Sequence, residues 1–330
     1  MSSSAQEVTL LGLCDGQLDP RRHCSSFLTN KVGGEPDWPP VVSGPSPRCG
    51  GCGAPSVHVV QVYCPLDTSP YHRNLHLFAC PAAECSGRPE SWTVLRSQCL
   101  EAAAQTRGRP LPKEKEVDGW GGGGGGVKDA EVQDEAVEVS RRLQGLRLGA
   151  SPADVPVLRA FFISVVEEAD LGGEDDELQH AQQLLREYER REGVAVGELN
   201  SGSGEETYEK TGARHGDAIF SRFMKRISLC PQQILRYCRG GRPLFISEPP
   251  SDAGRPVPAC GSCGGARTFE LQLMPALVGL LRRKDGGEAE LEFGTVLIYT
   301  CTSSCWTEES GSTVEEFCLV QSDPDQQLFK

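Results

Sequence analysis

The chain has 330 residues, 15 of them cysteine, and a formal net charge of -13. This length fits two ordinary domains, and the 38 Gly and 23 Pro predict that part of the chain is loop. No apolar run is as long as a membrane span, and no basic segment precedes the short run Val8 to Leu13, so we expect a soluble intracellular protein. In a reducing compartment the cysteines favour metal binding over disulfides.

The first predicted element is a cysteine quartet in the N-terminal part. Two thiolates with two residues between them fold around a metal as a tight knuckle, and two knuckles supply the four soft ligands of a closed tetrahedral zinc site. The 27 residues between the two pairs leave room for strands. The alternating segments Ser56 to Tyr63 and Leu75 to Cys80 predict two of them. The quartet consists of Cys49, Cys52, Cys80 and Cys85.

The central part of the chain predicts an acidic insert. Residues 129–210 contain 20 Asp and Glu against 8 Lys and Arg, a net charge of -12, and the hexaglycine Gly121 to Gly126 precedes them. This composition is typical of a flexible segment. Within it, Val155 to Val166 predicts a strand at the edge of the β domain, and the apolar spacing in Asp176 to Arg191 predicts a helix.

Two further helices are predicted after the insert. Asp217 to Ile227 places its apolar residues on one stripe, and Pro231 can begin a second helix that ends at Gly240-Gly241. We expect both helices to pack on the sheet.

The C-terminal part repeats the N-terminal design. A second quartet has 37 residues between its knuckles, and Thr268 to Leu273 and Thr295 to Thr300 predict its strands. In each copy a glutamine, Gln61 or Gln272, lies nine residues after the second cysteine, and a proline, a tryptophan and a trailing cysteine follow. This similarity indicates one supersecondary unit used twice, with Cys99 and Cys318 at matching positions. The second quartet consists of Cys260, Cys263, Cys301 and Cys305.

These elements predict a β-rich α+β fold in which two zinc-stapled pseudo-repeats form one composite domain, with a flexible acidic insert and a few helices. The predicted parts are an N-terminal zinc-binding β repeat (1–100), an acidic, partly disordered insert with a short strand and a helix (101–210), and a helical pair with a C-terminal zinc-binding β repeat (211–330). The predicted cofactors are two structural zinc ions, one in each quartet.

Several segments in the same order resemble the programmed cell death 2 family. The N-terminal ones are Lys31 to Trp38, with the sequence KVGGEPDW, the first knuckle CGGC, and Gln61 to Leu66. The C-terminal ones are Pro231 to Tyr237, Gly240 to Leu244 and the second quartet. Residues 100–229 contain no cysteine, so the chain resembles the branch of the family that lacks a central zinc finger of MYND type.

The resemblance implies a non-enzymatic role. The family is associated with cytosolic escort of one basic small-subunit ribosomal protein, the eukaryotic counterpart of bacterial S-five, and with 40S subunit assembly. The branch is also linked to nuclear export through the export receptor and to cell-cycle and proliferation effects, which implies a cytoplasmic protein that shuttles through the nucleus. The net negative charge is consistent with this role, because an escort for a basic protein should present an acidic surface and an extended groove or sheet edge.

Two other functions fit the residues less well. A zinc-ribbon protein that binds nucleic acid or regulates transcription needs a basic patch, and the basic clusters here are short, so direct nucleic-acid binding is not expected. An enzyme would need a catalytic zinc with an open position, whereas both quartets are all cysteine. His72 and His76 are expected to be packed side chains, and the remaining cysteines to be buried small residues or surface thiols.

Overall fold

Ten antiparallel β-strands of the computed structural model form a closed barrel. Around the barrel the order is β1-β6-β2-β3-β4-β5-β10-β9-β8-β7. Because the order closes, none of these ten strands is the edge strand of an open sheet. The strands are β1 Leu10–Gln17, β2 Lys31–Val32, β3 Val57–Tyr63, β4 Tyr71–Ala79, β5 Trp92–Leu100, β6 Phe161–Glu167, β7 Leu235–Tyr237, β8 Arg267–Leu273, β9 Thr295–Cys301 and β10 Val314–Gln321.

Few helices accompany the barrel. The structure describes residues 8–67, 69–101, 156–172, 218–248, 257–286, 291–306 and 311–322. Met1–Ala104 and Pro156–Lys330 group into one compact unit, and a second unit, Gln105–Val155, lies outside the described residues. None of the described helices is long and apolar enough to cross a membrane. The helices within these described ranges are α1 Ala218–Ile227 and the short 3-10 helices Ala83–Cys85, Pro89–Ser91, Glu168–Gly172 and Pro275–Leu280.

The barrel consists of two halves with the same strand plan. β1 to β5 form the first half and β6 to β10 the second, and within each half the second to fifth strands are consecutive neighbours. The first strand of each half pairs with the second strand of the other half, so that β6 pairs with β2 and β1 pairs with β7. The pairs β1 with β6 and β5 with β10 join the halves. Each half therefore completes the sheet of the other.

The strand register shows that the two repeat glutamines are equivalent. Gln61 pairs with Lys31 and His76, and Gln272 pairs with Arg236 and Leu297. A bulge lies two residues before each glutamine, between His58 and Val60 in β3 and between Phe269 and Leu271 in β8. A β-bulge is a specific structural feature of a sheet and not a random defect. Its presence at the same place in both halves confirms the internal repeat, with Lys31 equivalent to Arg236.

The same register corrects the matching of the trailing cysteines. His76 pairs with Leu95, and the equivalent Leu297 pairs with Leu319. Cys318 therefore corresponds to Val94 and not to Cys99. The prediction is wrong because it matched the cysteines by their order after Trp92 and Trp306, which are not equivalent. Trp92 is the first residue of β5, whereas a loop separates Trp306 from β10.

Each repeat glutamine holds a Gly-Gly-x-Pro segment. Gln61 Oε1 accepts a hydrogen bond from the N–H of Asp37 at 2.8 Å, and Gln272 Oε1 accepts one from the N–H of Leu244 at 2.8 Å. These buried amide side chains satisfy backbone groups that no strand reaches. Asp37 and Leu244 are therefore equivalent positions. The two segments are Gly33-Gly34-Glu35-Pro36-Asp37 and Gly240-Gly241-Arg242-Pro243-Leu244.

The core combines apolar side chains with two buried ion pairs. Leu75 and Leu77 of β4 belong to the apolar cluster that both halves share. Because side chains alternate along a strand, Arg73 points to the same side of β4 as these leucines. Arg73 pairs with Glu270 at 2.5 Å, and every member of the two pairs is at most 1% exposed. The second pair is Arg96 with Glu316.

Helix α1 packs on the second half. Phe223 is buried against Ile246 and Met274, and Phe220 and Ile227 lie beside this cluster. The apolar residues recur at the three- and four-residue spacing of one helix face. The prediction of this helix over Asp217 to Ile227 is confirmed over Ala218–Ile227.

The predicted strands around both quartets are confirmed as β3, β4, β8 and β9. The strand predicted within Val155 to Val166 is confirmed as β6, but it is not at an edge because it pairs with β1 and β2. The helix predicted from Pro231 is wrong, since Leu235–Tyr237 forms β7 between β1 and β8. The predicted helix Asp176 to Arg191 lies outside the described residues. The β-rich class with few helices is confirmed.

Candidate metal centres

The four cysteines of the first quartet converge on one point. The Sγ atoms of Cys49 and Cys85 are 3.8 Å apart, and those of Cys52 and Cys80 are 3.5 Å apart. All four Sγ atoms lie within 4.8 Å of one another. Tetrahedral zinc with Zn–S bonds of about 2.3 Å has ligand sulfurs about 3.8 Å apart. The cluster therefore has the dimensions of a closed four-thiolate site.

The second quartet has the same dimensions. Cys260 and Cys305 are 3.6 Å apart at Sγ, as are Cys263 and Cys301, and the four sulfurs again lie within 4.8 Å of one another. Cys301 ends β9 as Cys80 follows the end of β4, so the barrel fixes the third ligand of each cluster. In the described part of the chain, these two quartets are the groups of three or more candidate ligands that lie close enough for one ion.

The two CxxC knuckles share one backbone conformation. In the first, the N–H of Gly53 donates to the carbonyl of Cys49 at 2.9 Å, and in the second the N–H of Gly264 donates to that of Cys260 at 2.8 Å. Gly53 and Gly264 have φ angles of 73° and 70°. This left-handed region favours glycine because a Cβ would crowd the backbone. A glycine directly after each knuckle therefore closes it.

The first cysteine of each knuckle has a lowered thiol pKa. Burial raises the pKa of the Cys49 thiol, but the N–H groups of Cys52 and Gly51 more than offset this and bring it to about 7. Cys260 also reaches a pKa of about 7 through its knuckle amides, against the effect of burial. Burial instead raises the pKa of Cys80 to about 12. Metal binding must therefore displace protons from each cluster, which makes it dependent on pH.

The residues fit a structural metal. Four thiol groups are the ligand set of closed zinc sites. In each cluster cysteines fill all four positions, without a histidine or a carboxylate, so no coordination position is left open. The two clusters can each hold one metal ion. All eight cysteines that the spacing singled out are brought together, four and four, while metal binding itself stays a prediction.

The second cluster is embedded in charged side chains. Arg96 donates to the carbonyl of Cys305 at 2.9 Å, and Glu316 accepts the N–H of Cys301 at 3.1 Å. Arg267 donates to the same Glu316 oxygen at 3.0 Å, and Arg239 donates to the carbonyl of Cys301 at 3.0 Å. Outer groups of this kind orient metal ligands and tune their basicity. Sequence patterns gave no indication of these partners.

A buried ion pair between the two halves also contacts the second cluster. Arg73 of β4 binds both oxygens of Glu270 on β8, at 2.5 and 2.7 Å, and donates to Ser304 Oγ at 3.1 Å. Ser304 lies between the last two ligands of the second cluster, and Tyr237 donates to Glu270 at 3.1 Å. Arg73 lowers the pKa of Glu270 despite the opposing effect of burial, so the carboxylate stays ionised.

The first cluster has a plainer environment. Gly50 donates its N–H to the carbonyl of Glu90 at 3.0 Å, and Cys80 donates to that of Ser91 at 2.9 Å. Arg48 donates to the carbonyl of Gly53 at 2.9 Å from an exposed position. These partners are mostly backbone groups of the same half, so the two clusters differ although their knuckles are alike.

The two histidines considered as ligands are packed side chains. His76 is fully buried and its ring centroid lies 3.9 Å from that of Trp38. His72 accepts or donates a hydrogen bond with Tyr63 at 3.0 Å. Of the other cysteines, Cys14 and Cys24 are exposed, Cys238 is half-buried, and Cys64, Cys99, Cys230 and Cys318 are buried.

Comparison with known proteins places the chain in a family. The family models "Programmed cell death protein 2, N-terminal domain" and "Programmed cell death protein 2, C-terminal putative domain" match residues 8–110 and 217–322. "Programmed cell death protein 2-like" of Gallus gallus is 44% identical over 98% of this chain and 97% of its own length. The chain belongs to the programmed cell death protein 2 family.

The identities also distinguish the branches of the programmed cell death protein 2 family. The Homo sapiens protein of the same "2-like" name is 44% identical over 92% of this chain and 93% of its own length. "Programmed cell death protein 2" of Mus musculus is 31% identical over 91% of this chain. The predicted family and branch are therefore confirmed. No solved structure matches the chain significantly.

A more distant relative carries a functional name. "Probable 20S rRNA accumulation protein 4" of Schizosaccharomyces pombe is 36% identical over 110 residues, which are 30% of this chain and 26% of that protein.

Proposed function

We propose that this protein is a non-enzymatic chaperone or adaptor for a basic small-subunit ribosomal protein, the eukaryotic counterpart of bacterial S-five. In this role it supports assembly of the 40S subunit, meets the pre-40S particle and the nuclear export receptor, and shuttles between cytoplasm and nucleus, with consequences for the cell cycle and proliferation. The observation that carries the proposal is the likeness to the S. pombe protein, whose name refers to accumulation of 20S rRNA. Ribosome biogenesis is the process that this name suggests.

The charge of the chain supports a basic partner. The net charge is -13, and the segment 129–210 contributes -12 of it. Ribosomal proteins are rich in Lys and Arg, so they are attracted to such a chain over distances comparable to the Debye length. Electrostatic complementarity of this kind speeds association and disfavours other partners.

Each cluster holds one structural zinc ion in this proposal. Four cysteine thiolates complete the tetrahedral shell and leave no position for water or substrate, which favours a scaffold over a catalyst. The zinc links the knuckle to the end of β4 in one half and to the end of β9 in the other. Its binding free energy then adds to the folding free energy of the barrel.

Affinity purification of the tagged full-length chain tests the proposal. Cell extract is treated with nuclease and washed at moderate salt, and bound proteins are quantified by mass spectrometry. We expect one basic small-subunit ribosomal protein at near-equal amounts with the bait. A matched bait with Cys80→Ser, which disrupts the first cluster, shows whether recovery of the ribosomal protein requires an intact fold. Recovery of ribosomal proteins only without nuclease would indicate tethering through RNA and would refute the escort.

A further inference from the structure

Four arginines line one cavity of about 450 Å³ in the second half. Arg222 and Arg226 lie one turn apart on helix α1, Arg236 is on β7, and Arg242 is in the Gly-Gly-x-Pro segment. Like charges one helical turn apart destabilise a helix unless an anion lies between them. The cavity therefore concentrates positive charge in a chain whose net charge is -13.

Only part of this charge is balanced by the protein. Glu168, which is 7% exposed, binds Arg236 at 2.7 Å and Arg226 at 2.5 Å. Over the described ranges of the chain no carboxylate lines the cavity, and the side chains of Arg222 and Arg242 make neither a hydrogen bond nor an ion pair. Among the described residues, four guanidinium groups and one carboxylate leave an excess of three positive charges. Glu168 holds Arg226 and the buried Arg236 in place beside the cavity.

The first half of the barrel provides an internal reference for this cavity. Lys31, the equivalent of Arg236, is 3% exposed and binds the Asp37 carboxylate at 2.5 Å. The residue equivalent to Asp37 is Leu244, which lines the cavity, so the second half has lost this carboxylate. Arg242 in turn stands at the place of Glu35. In the first half the segment itself supplies the carboxylate for the buried cation, whereas in the second half Glu168 pairs with Arg236 and the equivalent segment contributes Arg242 and Leu244 to the cavity.

We propose that the arginine-lined cavity binds a phosphorylated, acidic protein segment. A phosphoserine or phosphothreonine carries a charge of about -1.5 to -2 and three acceptor oxygens, which suits an excess of three positive charges better than a single carboxylate does. The planar guanidinium fork pairs with phosphate through two hydrogen bonds. No aromatic side chain lines the cavity, so it lacks the stacking surface that single-stranded nucleic acid uses. The partner differs from the basic protein of the proposed function.

Fluorescence anisotropy with the full-length, zinc-loaded protein tests this site. The probe is a labelled peptide with one phosphoserine among Asp and Glu residues, compared with its unphosphorylated form, and inorganic phosphate serves as competitor. We expect the phosphopeptide to bind at least about tenfold more tightly and to be displaced by phosphate. Arg242→Glu, which restores the first-half residue, and Arg222→Glu should each weaken binding by about tenfold or more. Arg282→Glu makes the same charge change at an exposed arginine elsewhere and should leave binding unchanged.

Three results would overturn the site. The first is no preference for the phosphopeptide, and the second is an equal loss of binding in Arg282→Glu and Arg242→Glu. The third is an RNA oligonucleotide of the same charge that binds as tightly and loses binding in Arg242→Glu, which would make the cavity an RNA site. Circular dichroism and zinc content verify that every variant is folded. None of these results bears on recovery of the ribosomal protein.

Discussion

The two cysteine clusters have the same knuckle and different neighbours. In the first, the ligand segments are held mainly by backbone groups of their own half, such as the carbonyls of Glu90 and Ser91, and among the described residues only Ser86 beside Cys85 bonds to the second half, at the backbone of Glu292. In the second, Arg73 and Arg96 reach over from the first half and hold the residues around Cys305. The two copies therefore share their metal geometry, but more side chains from the opposite half reach the second cluster than the first.

Electrostatics separates the clusters further. Four thiolates around one divalent ion carry a charge of about -2, which outer hydrogen-bond donors reduce. Arg96, Arg239 and Arg267 all contact the surroundings of the second cluster. At the first cluster, among the residues that the structure describes, the exposed Arg48 is the arginine whose side chain makes a comparable contact. A metal in the second cluster should be bound more firmly, and its loss should affect more of the barrel.

The largest expected effect comes from removing one equivalent ligand in each cluster. Cys301→Ser should lower the free energy of unfolding by about 5 kcal/mol or more, since metal binding and folding are coupled and a domain has only about 5–15 kcal/mol in total. Cys80→Ser should cost less, because fewer contacts cross between the halves at that cluster. Urea unfolding followed by circular dichroism, with zinc content measured alongside, checks the order. Equal losses in the two variants would contradict the proposed difference.

The next effect concerns the buried pair that joins the halves. Glu270→Gln leaves the Arg73 guanidinium without a counter-charge in the core and should destabilise the protein by about 3–5 kcal/mol. Asp285→Asn serves as the matched control, because its pair with Arg283 is exposed and should be worth about 1 kcal/mol or less. Chemical unfolding measures both. A Glu270→Gln variant as stable as Asp285→Asn would show that the core pair does not couple the halves.

Dependence on pH should come from the first half. Burial lowers the pKa of His58 from 6.5 to about 4, assisted by the charge of Lys31. Between these values the unfolded chain binds a proton at this site that the folded chain does not, so His58 alone lowers the stability by roughly 3 kcal/mol as the pH falls from 6.5 to 4. Burial also lowers the pKa of the neighbouring His76 well below 6.5, which adds to the loss in the same direction. His58→Gln should flatten this part of the stability curve. Unfolding at several pH values measures it, and an unchanged slope would remove His58 as the cause.

The smallest effect should be the same in both halves. Gly53→Ala and Gly264→Ala each place a Cβ at a positive φ where nothing lies within 4 Å, so only backbone strain acts. Each should cost about 1 kcal/mol. Thermal unfolding of the two variants compares them. A difference of more than about 1 kcal/mol would mean that the knuckles are not equivalent.

Local patterns were sufficient for the metal clusters and the strands beside them. The spacing of Cys49 and Cys52, and of Cys260 and Cys263, predicts a tight turn that depends on few contacts with residues distant in sequence. β3 and β8 carry their own signal in apolar residues, mainly valine in β3 and phenylalanine and leucine in β8, that alternate with polar ones. Such features depend on neighbours in sequence, and these predictions agree with the structure.

Features that depend on distant pairing were missed. β7 is only three residues long and forms because β1 and β8 lie on either side of it, whereas its sequence next to Pro231 favours a helix. β1 contains Gly12 and Asp15, which are poor strand formers, and it is held by β6 and β7. The exchange of first strands between the halves, and the partners of Arg73 and Arg96, exist only in the closed barrel.

Native mass spectrometry of the full-length protein tests the central claim most directly. The claim is that two equivalent four-cysteine clusters each hold a zinc ion that fastens one half of the barrel. The folded chain should carry two zinc ions, and Cys80→Ser should carry one. A folded wild-type chain with one zinc ion or none would contradict the account.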